Sequence, residues 1–138
     1  MNRTELQNLS RQRRKEANAL LKRELYPGAY YLIGYAVECA LKACIAKQTA
    51  RHDFPDKTLA TKVYTHNIDQ LVGLAGLDLG LKTEMKENRK LQTNWLIVKD
   101  WSEASRYESR ITRVQAEDMY TACVARKHGF LSWVTRRW

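Results

Sequence analysis

YYLIGYAVECALKACIAK, residues 30–47, is the stretch whose reading decides the fold. It holds no proline, and Leu32, Tyr35, Ala36, Cys39, Ala40, Ala43 and Ala46 recur at steps of three or four. That is the period of one helix face, not the alternation of a strand. Pro27 suits the first turn of a helix, where its missing N–H removes no hydrogen bond. Counted from Pro27 to Thr49, the segment predicts a helix of about 23 residues, roughly 34 Å long. Glu38 and Lys42 interrupt the apolar run four residues apart, acid before base, the order that favours an ion pair on a helix. The stretch reads as a central helix, nearly all apolar, with one polar pair inside it.

Outward from this helix the chain keeps helical spacing. Thr4 to Glu24 carries Leu6, Leu9, Ala17, Leu20 and Leu21 at that spacing, with Thr4 as the N-cap. Arg11, Arg13, Arg14, Lys15, Lys22 and Arg23 crowd its other face, either as a solvated surface or as a stripe that tracks phosphates. No aromatic residue interleaves with them, so base stacking is not indicated there. Tyr26-Pro27-Gly28 is the turn into the central helix. Arg51 to Lys62, with Asp53, Pro55 and Asp56, reads as a surface loop. Thr65 or Asn67 caps a short helix running to Ala75, and Asn67 with Gln70 resembles a capping box. Gly73, Gly76 and Gly80 punctuate its end. Leu81, Met85, Asn88, Leu91, Trp95 and Val98 predict a fourth helix over Leu81–Asp100. Ser105 to Arg113 is polar and aperiodic. Met119, Ala122, Cys123, Phe130, Trp133 and Val134 predict a last helix from Val114 to Thr135, with Gly129 its weak point. With no strand signal and no internal repeat, the expectation is an all-α bundle of about five helices, mostly up-and-down, forming one domain over residues 1–138.

Composition narrows the function classes. Lys and Arg number 24 against 15 Asp and Glu, a net charge of +9 that suits an anionic partner, nucleic acid first, or simply a basic soluble surface. Cys39, Cys44 and Cys123 show no CxxC and no paired spacing, so they read as buried small residues in a reducing compartment, not as zinc ligands or a disulfide framework. The amino terminus is polar, which argues against a signal peptide. No apolar run is judged long enough to span a membrane, since Glu38 and Lys42 break the longest. The expectation is a cytoplasmic protein without metal or cofactor. GxxxxGK[ST], HExxH and GxSxG are all missing, which leaves phosphate-loop, zinc-hydrolase and serine-hydrolase chemistry unsupported.

Tyr35, Glu38, Leu41 and Lys42 in GYAVECALKA, His66-Asn67 before an apolar helix, then Trp95, Trp101 and Arg106-Tyr107 stand in the order seen in the HEPN superfamily, which the chain resembles from Tyr26 to Trp133. The resemblance implies a small prokaryotic helical bundle, free-standing or beside a minimal nucleotidyltransferase in a toxin–antitoxin-like pair. Many HEPN proteins are ribonucleases whose motif is an arginine, four to six residues, then a histidine. Two copies meet across a dimer and cleave RNA without metal. Such chemistry is understandable, because a histidine can move the 2′-hydroxyl proton while an arginine holds the phosphate. Here the motif is absent. His52 is preceded at the required positions by Ile45, Ala46 and Lys47, His66 by Leu59, Ala60 and Thr61, and His128 by Thr121, Ala122 and Cys123.

The resulting expectation is a non-catalytic HEPN-like module that binds RNA, a nucleotide or a partner protein, with no catalytic residue assigned. A metal-independent ribonuclease with a non-standard site, for instance Arg126 and Lys127 near His128, is one alternative, and a purely structural interaction module is another. Tyr35, Glu38, Lys42, Arg106 and Tyr107 form the polar set within the apolar pattern. They are either a core ion pair that fixes helix register or the floor of an anion or nucleotide pocket, since a charge on a buried helix must be paired. His66, at a helix start, reads as a capping or packing residue. Arg11, Arg13, Arg14, Lys15, Arg136 and Arg137 are candidate phosphate contacts. A homodimer is expected from the resemblance, from the prevalence of twofold pairing, and from four tryptophans, generous for one small core.

Overall fold

A computed structural model describes residues 1–49 and 61–138. Helices account for all the regular structure among the described residues. They are α1 (Arg3–Lys22), α2 (Tyr26–Thr49), α3 (Ile68–Leu74), α4 (Asp78–Glu87), α5 (Arg89–Lys99), α6 (Arg113–Val124) and α7 (Phe130–Thr135), with a 3-10 turn at Glu103–Tyr107. The protein is all-α, as its periodicity requires, with more and shorter helices than the sequence pattern suggests.

The central element is α2, buried on nearly every side through Ile33, Ala36, Val37, Ala40, Leu41 and Cys44. α1 lies along it, and the Ser10 hydroxyl donates to the Ala36 carbonyl across the contact at 2.7 Å. The small Ala36 side chain leaves that carbonyl reachable. α3, α6, α7 and the 3-10 turn also pack on α2. By length and composition α2 does meet the requirement for a membrane span, contrary to the sequence expectation: it has 24 residues, and an 18-residue window within it has a mean hydropathy of 1.3 with no more than two charged residues. Of that apolar window, 67% is buried inside the protein, as befits the core helix of a bundle.

Local chemistry sets the boundaries and corrects several of them. α1 begins two residues early, because Asn2 accepts from the Glu5 N–H at 2.8 Å while Glu5 accepts from the Asn2 N–H at 2.8 Å, a full capping box. It ends in a Schellman turn. Leu25 N–H donates to the Leu20 carbonyl, Glu24 N–H donates to that of Leu21, and Glu24 takes φ 63°. At α3, Asn67 caps the Gln70 N–H at 2.9 Å, but the reciprocal bond is relayed: the Asn67 N–H donates to the Thr65 hydroxyl, which donates to the Gln70 side chain. The helix expected over Leu81–Asp100 begins at Asp78 and is cut at Asn88, whose extended backbone (φ −124°, ψ 91°) lets its side chain cap α5 instead. The helix expected over Val114–Thr135 is likewise two, α6 and α7. Gly129 sits in the break, where an added Cβ would lie 2.5 Å from the carbonyl oxygens of Cys123 and Ala125. Of the loop expected over Arg51–Lys62, residues 51–60 lie outside the described residues, and Thr61 and Lys62 are helical.

Tryptophans lock the rest. Trp95, Phe130 and Trp133 form one aromatic file, with centroids 4.7 and 6.0 Å apart. Trp101 stacks on Tyr31 at 6.0 Å and packs closely against α2 at Gly34, where an added Cβ would clash with the indole ring. That contact seats the 3-10 turn beside the polar pair of α2. Trp138 packs at the edge of the same core, so all four tryptophans serve this chain's own interior and supply no argument for a dimer.

Candidate functional site

Helical spacing lines up Tyr31, Tyr35, Glu38 and Lys42 on successive turns of one face of α2. Glu38 is 2% exposed, and its carboxylate is fully engaged. Lys42 Nζ donates to one oxygen at 3.3 Å, and His66 Nδ1 lies 2.9 Å from the other. His66, held just ahead of the cap residue of α3, turns its Nε2 toward Glu103 of the 3-10 turn, 2.8 Å away. Each ring nitrogen thus faces a carboxylate oxygen within hydrogen-bond distance. Three separate elements, α2, the start of α3 and the 3-10 turn, are thereby tied through one ring.

Beside this ring opens a cavity of about 570 Å³. Tyr31, Leu32 and Tyr35 give it an aromatic and apolar wall, and Arg13 of α1 and Arg106 of the 3-10 turn bring guanidinium groups to it. Arg13 is held by Glu16 at 2.6 Å and lies 6.0 Å from the centre of the Tyr35 ring. Arg106 lies over the Tyr107 ring at 4.8 Å. Tyr107, then hydrogen bonds and the nearby Glu103, push its already high pKa up further, so its charge is permanent. Burial, with Cys39 and Glu38 adding to it, raises the Tyr35 hydroxyl, which therefore stays a donor. Burial also pushes the Cys39 thiol up to about 12 and that of Cys44 up to about 11, and raises Cys123, so none is a thiolate nucleophile at neutral pH. Among the described residues no group of three His, Cys, Asp or Glu is arranged to hold a metal ion.

The structure brings together most of the polar set singled out from the sequence, with one partner changed. Tyr35 and Arg106 line the cavity, while the buried Glu38 and the partly exposed Lys42 are tied to it through His66. Tyr107 is 78% exposed and serves as a platform under Arg106. Arg106 makes no ion pair with Glu38; the second partner is His66. His66 and Glu103 are the residues that sequence reading missed. No spacing rule links His66 to a carboxylate 28 positions earlier on another helix, and its place before a cap residue points to a structural role.

The candidate phosphate contacts disperse. Arg13 reaches the cavity; Arg14, Lys15 and Arg136 are exposed. Arg11 covers the Trp138 ring at 4.8 Å. Arg137 is turned inward onto the Trp133 ring and Glu84, and partial burial lowers its pKa. His52 lies outside the described residues. No curated protein and no solved structure matches the chain. The family model of the HEPN domain does match, over residues 5–138, and with nearly the whole length covered the chain belongs to the HEPN-domain family.

Proposed function

We propose that the cavity beside His66 binds RNA or a nucleotide and that the chain is a HEPN module that binds without cleaving. The observation that carries this reading is the convergence of two guanidinium groups from separate elements, Arg13 and Arg106, on a cavity walled by Tyr31 and Tyr35. Guanidinium forks match phosphate oxygens, and tyrosine rings offer a face to a base. The excess of +9 supports it by drawing polyanions to the surface. The engagement of both His66 nitrogens argues against cleavage, because a general base needs a free lone pair.

The test is a titration of labelled single-stranded RNA at several salt concentrations, with EDTA present. Affinity falls steeply with salt, Arg106→Ala weakens it on the order of tenfold, and reversing the Arg13–Lys15 charges flattens the salt slope. Binding unaffected by both changes would sink the reading. The ribonuclease alternative has one observation in its favour. His66 and Arg106 line the same cavity although no sequence motif pairs them, and a substrate phosphate that displaced the half-exposed Glu103 would free Nε2. Cleavage that survives EDTA and is lost in His66→Ala would establish it. Two further parts of the proposal rest on the family: a homodimer, checked by light scattering, and a minimal nucleotidyltransferase partner, checked by co-purification with one encoded next to this chain.

A further inference from the structure

A second cavity, about 470 Å³, shares no residue with the first. It is lined by Glu84, Asn88, Arg126, Lys127, His128 and Arg136. Its one carboxylate among the described residues, Glu84, is paired from behind, its Oε2 accepting from the Trp133 indole N–H at 2.8 Å and from Arg137 at 3.2 Å. Arg126, Lys127 and Arg136 are exposed and form no ion pair among the described residues. Three cations therefore face one cavity whose single acid among the described residues is already paired with a fourth cation, Arg137.

His128 is held there in a defined form. Asn88 must turn its Oδ1 to the Leu91 N–H, 3.1 Å away, to cap α5. That fixes the amide so that its Nδ2 faces His128 Nδ1 at 3.0 Å. An amide nitrogen only donates, so His128 Nδ1 accepts and the neutral ring carries its hydrogen on Nε2. Asn94 Nδ2 holds the main chain as well, donating to the His128 carbonyl at 2.8 Å. A helix cap thus decides which nitrogen of this histidine is the donor.

We propose that this cavity is a second anion site, built for a phosphomonoester, the group carried by a mononucleotide or by a 5′-phosphorylated RNA end. Three cations that form no ion pair among the described residues, with the His128 ring in the same lining, favour the ligand with most charge and most terminal oxygens. A phosphomonoester brings a charge of about −1.5 to −2 and three acceptor oxygens, against about −1 and two for a diester. The proposal stands apart from the reading of the first cavity.

Histidine ring resonances of the ¹⁵N-labelled full chain test it, because His128 reports this cavity and His66 the other. The free protein shows His128 with hydrogen on Nε2. AMP and a short 5′-phosphorylated RNA are then compared with the same RNA ending in a 5′-hydroxyl. The expected result is that a 5′-phosphate-bearing ligand shifts His128, while the 5′-hydroxyl RNA binds there at least about tenfold more weakly. A response to AMP alone, to the RNA end alone, or to both supports the site and names its source. Arg126→Ala with Lys127→Ala lowers affinity on the order of tenfold or more, and Lys99→Ala, exposed and in the lining of neither cavity, leaves it unchanged. Asn88→Asp keeps the capping oxygen, removes the donating amide and moves the His128 hydrogen to Nδ1. An Nδ1–H tautomer in the unaltered protein, no His128 response to either AMP or the 5′-phosphorylated RNA, or a His128 shift of equal size with both RNAs overturns the proposal.

Discussion

Truncating Glu38 tests the centre of the structure. Glu38→Ala removes a carboxylate that is 2% exposed and that holds Lys42 at 3.3 Å and His66 at 2.9 Å. The two partners do not suffer alike. Lys42 is 17% exposed and loses its only ion pair among the described residues, whereas His66 is 45% exposed and keeps Glu103. Breaking a buried pair costs about 3–5 kcal/mol, and the half-exposed histidine places this one at the lower end, about 3 kcal/mol. For a chain of this size that corresponds to a melting point lower by roughly 10 °C. Glu38→Gln keeps shape and one acceptor and should cost about half as much. Adding Lys42→Met to it removes the stranded charge and should recover about 1 kcal/mol. Urea unfolding of the three variants measures all of this. A loss below about 1 kcal/mol for Glu38→Ala would refute the reasoning, since that is what an exposed pair contributes.

Other consequences follow from particular contacts. Gly34→Ala forces the Trp101 indole off α2 and should cost about 1–3 kcal/mol, with the altered Trp101 environment read by fluorescence; an unchanged protein would mean the ring has room to move. Glu24→Gly relieves a left-handed residue at the end of α1 and should raise stability by about 0.5–1 kcal/mol, seen as a higher urea midpoint at constant slope. The thiols give a pH dependence. Burial raises Cys39 to about 12 and Cys44 to about 11 from an ordinary 9.0, so the folded chain keeps protons that the unfolded chain gives up. Their contribution is complete below pH 9.0 and is lost as pH rises toward about 11 to 12, so stability falls across that window. A Cys44→Ala variant should show a shallower fall. For the same reason, iodoacetamide should label these cysteines readily only after unfolding.

The sequence by itself determined the all-α class, the central helix and its embedded Glu38–Lys42 pair, because helical periodicity and i,i+4 pairing are local properties of the chain. It narrowed the cap of α3 to Thr65 or Asn67 and marked Gly129 as a weak point for the same reason, and the structure chose Asn67. It misjudged where long periodic runs break. The hydrophobic pattern of Leu81–Asp100 runs through Asn88 without a fault, and only the finished packing shows that Asn88 leaves the helix to cap the next one. Tertiary structure alone decided the partners of the polar residues. His66 reaches Glu38 across 28 positions and binds Glu103 on its other side, which depends on how α3 and the 3-10 turn dock on α2. The docking of the turn depends in its turn on the close approach of Trp101 to Gly34. The tautomer of His128 was equally out of reach, since it follows from an amide fixed by a helix cap 40 residues away. Contacts of that kind arise from the three-dimensional meeting of elements, and no periodicity in the chain encodes them.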